Sequence, residues 1–303
     1  MHFGDDLMAR TREIGHPLCA GIDPHLDRVP ELFRQGSMAP TDPGTPRAVE
    51  ALALAFLDCL VGKVAAVKPQ IAFFEQMGSG GMAVLERVMA AARERELLIV
   101  LDAKRGDIGS TAEGYARAYL EPGAAAEADA LTLNPYMGLD SLAPFAERAA
   151  AYGRGLFVLA KTSNPGSGDL QDRVLEKEGP VYEVLAGSLA PMADELQGPA
   201  TGWSSLGIVA GATYPEQAER LRALLPKALF LVPGYGAQGA SAADAVRSFV
   251  PGPGGLEGGL VNSSRGLLFP AAGQEATNAA GWEQAVNEAV DRAADELRAA
   301  VAS

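Results

Sequence analysis

The chain has 303 residues, 48% of them hydrophobic and 21% charged, a soluble globular balance ample for a large core. A formal net charge of −13 argues against nucleic acid as a partner, and no apolar run approaches the ~20 residues needed to span a bilayer. Two cysteines, Cys19 and Cys59, are too few for a disulfide framework or a CxxC metal knuckle, and the acidic start at 1–6 lacks the apolar region of a signal peptide, so the cytoplasm is the expected compartment.

Short apolar runs then recur in chain order. They lie at 18–23, 64–70, 97–104, 128–134, 155–163, 206–212, 228–234 and 259–264, eight candidate strands in all. Several are almost continuously apolar, as strands buried on both faces should be. Amphipathic stretches such as 81–95 and 215–225 lie between them. This alternation predicts an α/β chain folded as a parallel (β/α)8 TIM barrel, one domain over 1–303. A doubly wound open sheet is the second reading, because periodicity does not show closure. Three stretches read as insertions, at 24–46, 165–203 and the Gly/Pro-rich 251–259. The Ala-rich stretch 282–300 reads as a closing helix.

Nearly every run ends in a polar or Gly/Pro cluster: GIDP, VKPQ, LDAKRGD, LNPY, KTSNPG, AGAT, VPGYG and NSSRG. In a barrel these ends share one rim, where catalytic groups sit. The densest is LDAKRGD at 101–107. Side chains alternate along a strand, so Asp102 and Lys104 are expected to share a face, with Asp107 beyond the strand end. A lysine flanked by two carboxylates keeps its proton, which makes it a proton donor rather than a Schiff-base nucleophile. Lys68 ends the second run and is costly to bury unless paired. The neighbouring strand supplies Asp102, which predicts an alternating chain Lys68–Asp102–Lys104–Asp107. The plainer readings are a strand-end salt bridge and a snorkelling lysine.

Loops after the seventh and eighth barrel strands commonly bind phosphate. Arg265, in NSSRG, offers a bidentate fork there, and a few such cations can serve a small anionic substrate despite the overall charge. Residues 234–239 match GxGxxG, but on the seventh strand and with no strand-end acid at the distance a dinucleotide fold requires. They read instead as a flexible loop closing over phosphate, with Gln238 at its tip. His2, His16 and His25 suggest no metal or triad arrangement and receive no role.

Together, Asp23 in GIDP, Lys68 in VKPQ, the LDAKRGDIGST block, TSNPGS at 162–167, PGYGAQG at 233–239 and NSSRG at 262–266 resemble the orotidine 5′-phosphate decarboxylase family over essentially the whole chain. The D-x-K-x-x-D block alone is shared with sister enzymes acting on sugar phosphates; the combination is more specific. The insertions and TSNPGS look like the longer bacterial branch.

The resemblance implies decarboxylation of orotidine 5′-monophosphate to uridine 5′-monophosphate and CO2, in pyrimidine biosynthesis, without metal, flavin or pyridoxal. By position, Asp23 and Lys68 would hold the ribose hydroxyls, and Asp102 would face the substrate carboxylate. Lys104 would stabilise and protonate the C6 carbanion. Asp107 and Thr111 would reach the ribose from the partner subunit of a homodimer. Ser163 would contact the pyrimidine, with Thr162 and Asn164 as equally polar neighbours. Gln238 and Arg265 would hold the phosphate. Two other readings stay open. One is a metal-dependent sugar-phosphate decarboxylase or aldolase of the same superfamily, which carries an acidic ligand where this chain has Lys68. The other is a non-catalytic nucleotide-binding barrel, which would have no need of Lys104 between two acids.

Overall fold

Eight parallel strands close on one another in sequence order: β1 Leu18–Ile22, β2 Ala66–Pro69, β3 Leu98–Arg105, β4 Ala130–Leu133, β5 Gly155–Lys161, β6 Ser204–Ala210, β7 Ala228–Val232 and β8 Gly259–Ser263. The structure, a computed structural model, describes residues 2–236 and 239–302. Closure comes from β8 pairing back onto β1, with Leu18 opposite Val261 and Ala20 opposite Ser263. The expected barrel is therefore found, and the open-sheet alternative is set aside. Among the described residues no helix is long and apolar enough to cross a membrane.

The strands read as apolar runs because both faces are covered. β1, β6 and β7 are buried at every position. The first helix, α1 Phe3–Ile14, stands apart, and one set of strand side chains meets the surrounding helices α2 Thr45–Leu60, α3 Gly78–Glu94, α4 Gly109–Leu120, α5 Ala143–Tyr152, α6 Val181–Glu195, α7 Pro215–Leu224 and α8 Ala279–Val301. The other set, including Val100, Phe157, Leu229 and Leu260, fills the barrel interior.

Helix α1 joins that interior cluster through Phe3, Leu7 and Met8 and closes the end of the barrel opposite the strand C-termini. The Phe3 ring meets Phe157 edge-on at 5.9 Å. Gly155 makes this possible, since a Cβ there would lie 2.2 Å from Phe3 Cδ1.

The expected insertions need one correction. The stretch 165–203 is not all extra chain, because α6 is the regular crossover between β5 and β6. Pro191 inside that helix disguises it, since proline reads as a helix break. What precedes α6 is a short helical turn, Pro165–Asp169, and a small antiparallel hairpin pairing Val174 with Pro180. The stretch 24–46 carries two further short turns, Leu26–Arg28 and Glu31–Phe33. The stretch 251–259 holds a hairpin in which Val250 pairs Glu257.

Candidate active site

The strand C-termini surround a cavity of about 330 Å3. Its charged wall comes from β2 and β3. Lys68 Nζ donates to Asp102 Oδ2 at 2.6 Å, and Lys104 Nζ donates to Asp102 Oδ1 at 2.5 Å. One carboxylate thus bridges two ammonium groups. Lys68 and Asp102 are buried, whereas the Lys104 side chain keeps 45% of its surface open. Burial works against the Lys68 ammonium, but Asp102 and Asp23 outweigh it and hold its pKa above the ordinary lysine value. Burial likewise disfavours the Asp102 carboxylate, yet Lys68 and Lys104 keep it ionised well below the usual carboxylate range.

Asp102 and Lys104 both line the cavity, as expected, but simple alternation does not put them there. Leu101 pairs with Leu131 and Arg105 with Leu133, so four steps along β3 match two along β4. The excess is taken up at Ala103 and Lys104. Lys104 has φ +48°, a left-handed conformation that non-glycine residues rarely adopt. Thr132 of β4 secures this bulge. Its Oγ1 accepts the N–H groups of Ala103 (3.0 Å) and Lys104 (2.9 Å) and donates to Asp102 Oδ1 at 3.0 Å. The sequence reading missed Thr132. The only available signal is a lone hydroxyl in the apolar run ALTL.

Ser163 and Asn262 also line the cavity, together with Thr162, Asn164 and the apolar Leu159, Val209 and Leu231. Thr162 and Asn164 are bonded to one another, Thr162 Oγ1 donating to Asn164 Oδ1 at 2.7 Å. Asn262 is a second residue not foreseen. Its amide donates to Ser264 Oγ at 3.2 Å, while its buried Oδ1 has no partner among the described residues. Gly21 on β1 leaves space for both, since a Cβ there would fall 1.9 Å from Ser264 Oγ. Asp23, at the end of β1, is close enough to act on Lys68 and also keeps a buried, unpartnered Oδ1.

The remaining residues lie on the rim. Asp107 is half-buried on the loop after β3, where its Oδ1 accepts the Ile108 N–H at 2.8 Å. It makes no ion pair with Lys104 among the described residues, so within one chain the expected four-charge ladder stops at Lys104. Thr111 is exposed in the first turn of α4. Large apolar side chains crowd this edge: Ile108, Tyr136, Met137 and Leu139 are exposed on the loops after β3 and β4, Tyr136 by 79%. Arg265 opens the short helix Arg265–Leu268 and is also exposed. The glycine loop after β7 uses left-handed backbone at Gly234, Gly236 and Gly239, and Tyr235 ties it to α8 by donating to Glu296 Oε2 at 2.6 Å. Gln238 lies outside the described residues. A larger but more open cavity of about 770 Å3 borders this loop. It lacks the paired ammonium groups that distinguish the smaller one.

Comparison with known proteins identifies the company these features keep. The model of the orotidine 5′-phosphate decarboxylase / HUMPS family matches residues 16–280. A relative from Rhodopirellula baltica named orotidine 5′-phosphate decarboxylase is 39% identical over 98% of this chain and 99% of its own length. One of the same name from Verminephrobacter eiseniae is 42% identical over 92% of this chain and 94% of its own. The solved structure of Leishmania donovani OMP decarboxylase superposes with a TM-score of 0.76 at 31% identity, covering all of both chains.

Proposed function

The chain belongs to the orotidine 5′-phosphate decarboxylase family, and we propose that its Lys68–Asp102–Lys104 triplet carries out that decarboxylation without a cofactor, as a step of pyrimidine biosynthesis. The observation that carries the reading is the arrangement of two ammonium groups on one buried carboxylate at the wall of a nucleotide-sized cavity.

The chemistry follows from where charge develops. When the C6–carboxylate bond of orotidine 5′-monophosphate breaks, CO2 leaves and the electron pair stays on C6, with no adjacent electron sink. A fixed cation is the complementary group at that point. Lys104 supplies it and then passes an N–H proton to C6, giving uridine 5′-monophosphate. Its half-open side chain allows solvent to restore the proton. Asp102 holds Lys104 in place and faces the departing carboxylate, where repulsion between the two anions favours departure.

Lys68 and the unpartnered Asp23 oxygen suit the ribose hydroxyls, Ser163 the pyrimidine, and Arg265 with Gln238 the phosphate. Asp107 and Thr111 complete the neighbouring site of a homodimer. Two observations support that pairing: Asp107 does not meet Lys104 of its own chain, and the loops around it expose apolar side chains that a second copy would cover. We read the whole chain as one domain working in the cytoplasm.

The direct test is the ultraviolet absorbance of orotidine 5′-monophosphate mixed with the protein. The orotate chromophore should disappear, and exhaustive chelation should leave the rate unchanged. Activity abolished by EDTA and restored by Mg2+ would favour the metal-dependent sister reading. Binding without turnover would favour the non-catalytic barrel.

A further inference from the structure

Strand β5 ends in a lysine that the mechanism does not use. Lys161 is 1% exposed. Its ammonium donates to Asp172 Oδ1 at 2.7 Å and lies 4.3 Å above the Tyr214 ring. A buried cation is costly unless paired, so this pair ties the segment carrying Asp172 to the strand end.

The adjacent Gln171 grips the same strand end. Its Oε1 accepts the Thr162 N–H at 3.0 Å, and its Nε2 donates to Thr162 Oγ1 at 2.9 Å. From the other side, Thr213 Oγ1 donates to the Ser163 carbonyl at 3.4 Å. Gly211 lies directly beneath, where a Cβ would come within 2.9 Å of Ser163 Cα. The backbone at 162–163 is therefore clamped between two segments. All three polar side chains at 162–164 line the cavity; Thr162 Oγ1 and Asn164 Oδ1 bond to one another and Thr162 Oγ1 also accepts from Gln171, whereas the Ser163 hydroxyl has no partner among the described residues.

We infer that Gln171, with the Lys161–Asp172 pair behind it, positions Ser163 as the base-recognising wall of the site. The segment between β5 and α6 is thus part of substrate selection. The inference rests on the reading of Ser163 as the pyrimidine contact.

The test compares two ligands, uridine 5′-monophosphate and ribose 5-phosphate, which lacks the base. Binding of each is measured by calorimetry to wild type, Gln171→Leu, Gln171→Glu and Ser163→Ala. Wild type should prefer the nucleotide. Gln171→Leu should weaken the nucleotide about tenfold, the scale of one or two neutral hydrogen bonds, and leave ribose 5-phosphate within about twofold. Gln171→Glu keeps the acceptor for the Thr162 N–H but loses the donor to Thr162 Oγ1, so it should recover part of the loss. Ser163→Ala should show the same base-selective weakening. Equal weakening of both ligands by Gln171→Leu, or none, would overturn the positioning role. A wild type with no preference for the nucleotide, or a Ser163→Ala without effect, would overturn the parent reading of Ser163 and the inference with it.

Discussion

Replacing Thr132 by valine keeps the shape of a fully buried side chain and removes one oxygen. That oxygen serves three groups: the N–H of Ala103, the N–H of Lys104 and the Asp102 carboxylate. A buried donor left without a partner costs about 1–3 kcal/mol, with the Lys104 amide at the lower end because it lies nearer solvent. The left-handed conformation at Lys104 stores a further ~1–3 kcal/mol that only the surrounding structure sustains. The least costly relief is for the 103–104 peptide to rotate back toward ordinary strand geometry, which carries the Lys104 ammonium off Asp102. If about 1.4–2.8 kcal/mol of this reaches the reacting geometry, kcat falls roughly 10- to 100-fold. KM for orotidine 5′-monophosphate should stay within about threefold, since the proposed ribose and phosphate contacts are untouched. Thr132→Ser keeps the oxygen and should stay within about threefold of wild type in both parameters. Steady-state assays at the orotate absorbance decide the matter. A valine variant that turns over at the wild-type rate, or a serine variant as impaired as valine, would refute the reasoning.

Two further outcomes are expected. Lys104→Ala and Asp107→Ala proteins, each nearly inactive alone, should regain roughly a quarter of wild-type activity when mixed, because half of randomly paired dimers are mixed and each mixed dimer holds one intact site; continued inactivity after proven subunit exchange would show that Asp107 acts in its own chain. His16 is buried beside Arg298, and burial first, then that charge, pushes its pKa down to about 4. Between pH ~6.5 and that value the unfolded chain takes up a proton that the folded chain refuses, so stability should fall with pH across this window by up to about 3 kcal/mol. His16→Gln should flatten that part of the urea-unfolding profile, and an unchanged slope would count against it.

The barrel and most of the charged cluster were legible because burial on both faces leaves an unambiguous trace. A strand that is apolar to its last residues and then ends in Lys68 or in Asp102 and Lys104 announces groups that something else must satisfy. What could not be read depends on register. Thr132 matters only because β3 advances four residues against two of β4, a relation between strands that neither run contains. The same slip means that Asp102 and Lys104 share the cavity through a bulge, where alternation alone had suggested the same outcome for a different reason. Lys161 was passed over because its partner Asp172 sits in a segment read as insertion. The expected contact between Lys104 and Asp107 failed within one chain because the loop at Gly106–Ile108 turns the carboxylate onto the next backbone N–H.

The seat of helix α1 has a consequence for the order of assembly. The Gly4 N–H donates to Ser205 Oγ, 201 positions along the chain, and Phe3 rests on Phe157. Asp5 accepts from the hydroxyl and backbone N–H of Thr201. These are among the least local contacts a barrel can make. Their loop-closure cost grows only slowly with separation, but the surface they close on does not exist until β5 and β6 lie side by side. During synthesis α1 therefore leaves the ribosome well before its docking site. A chain halted short of Ser205 carries that helix with Phe3, Leu7 and Met8 facing water, which makes its apolar stripe a natural handle for chaperones.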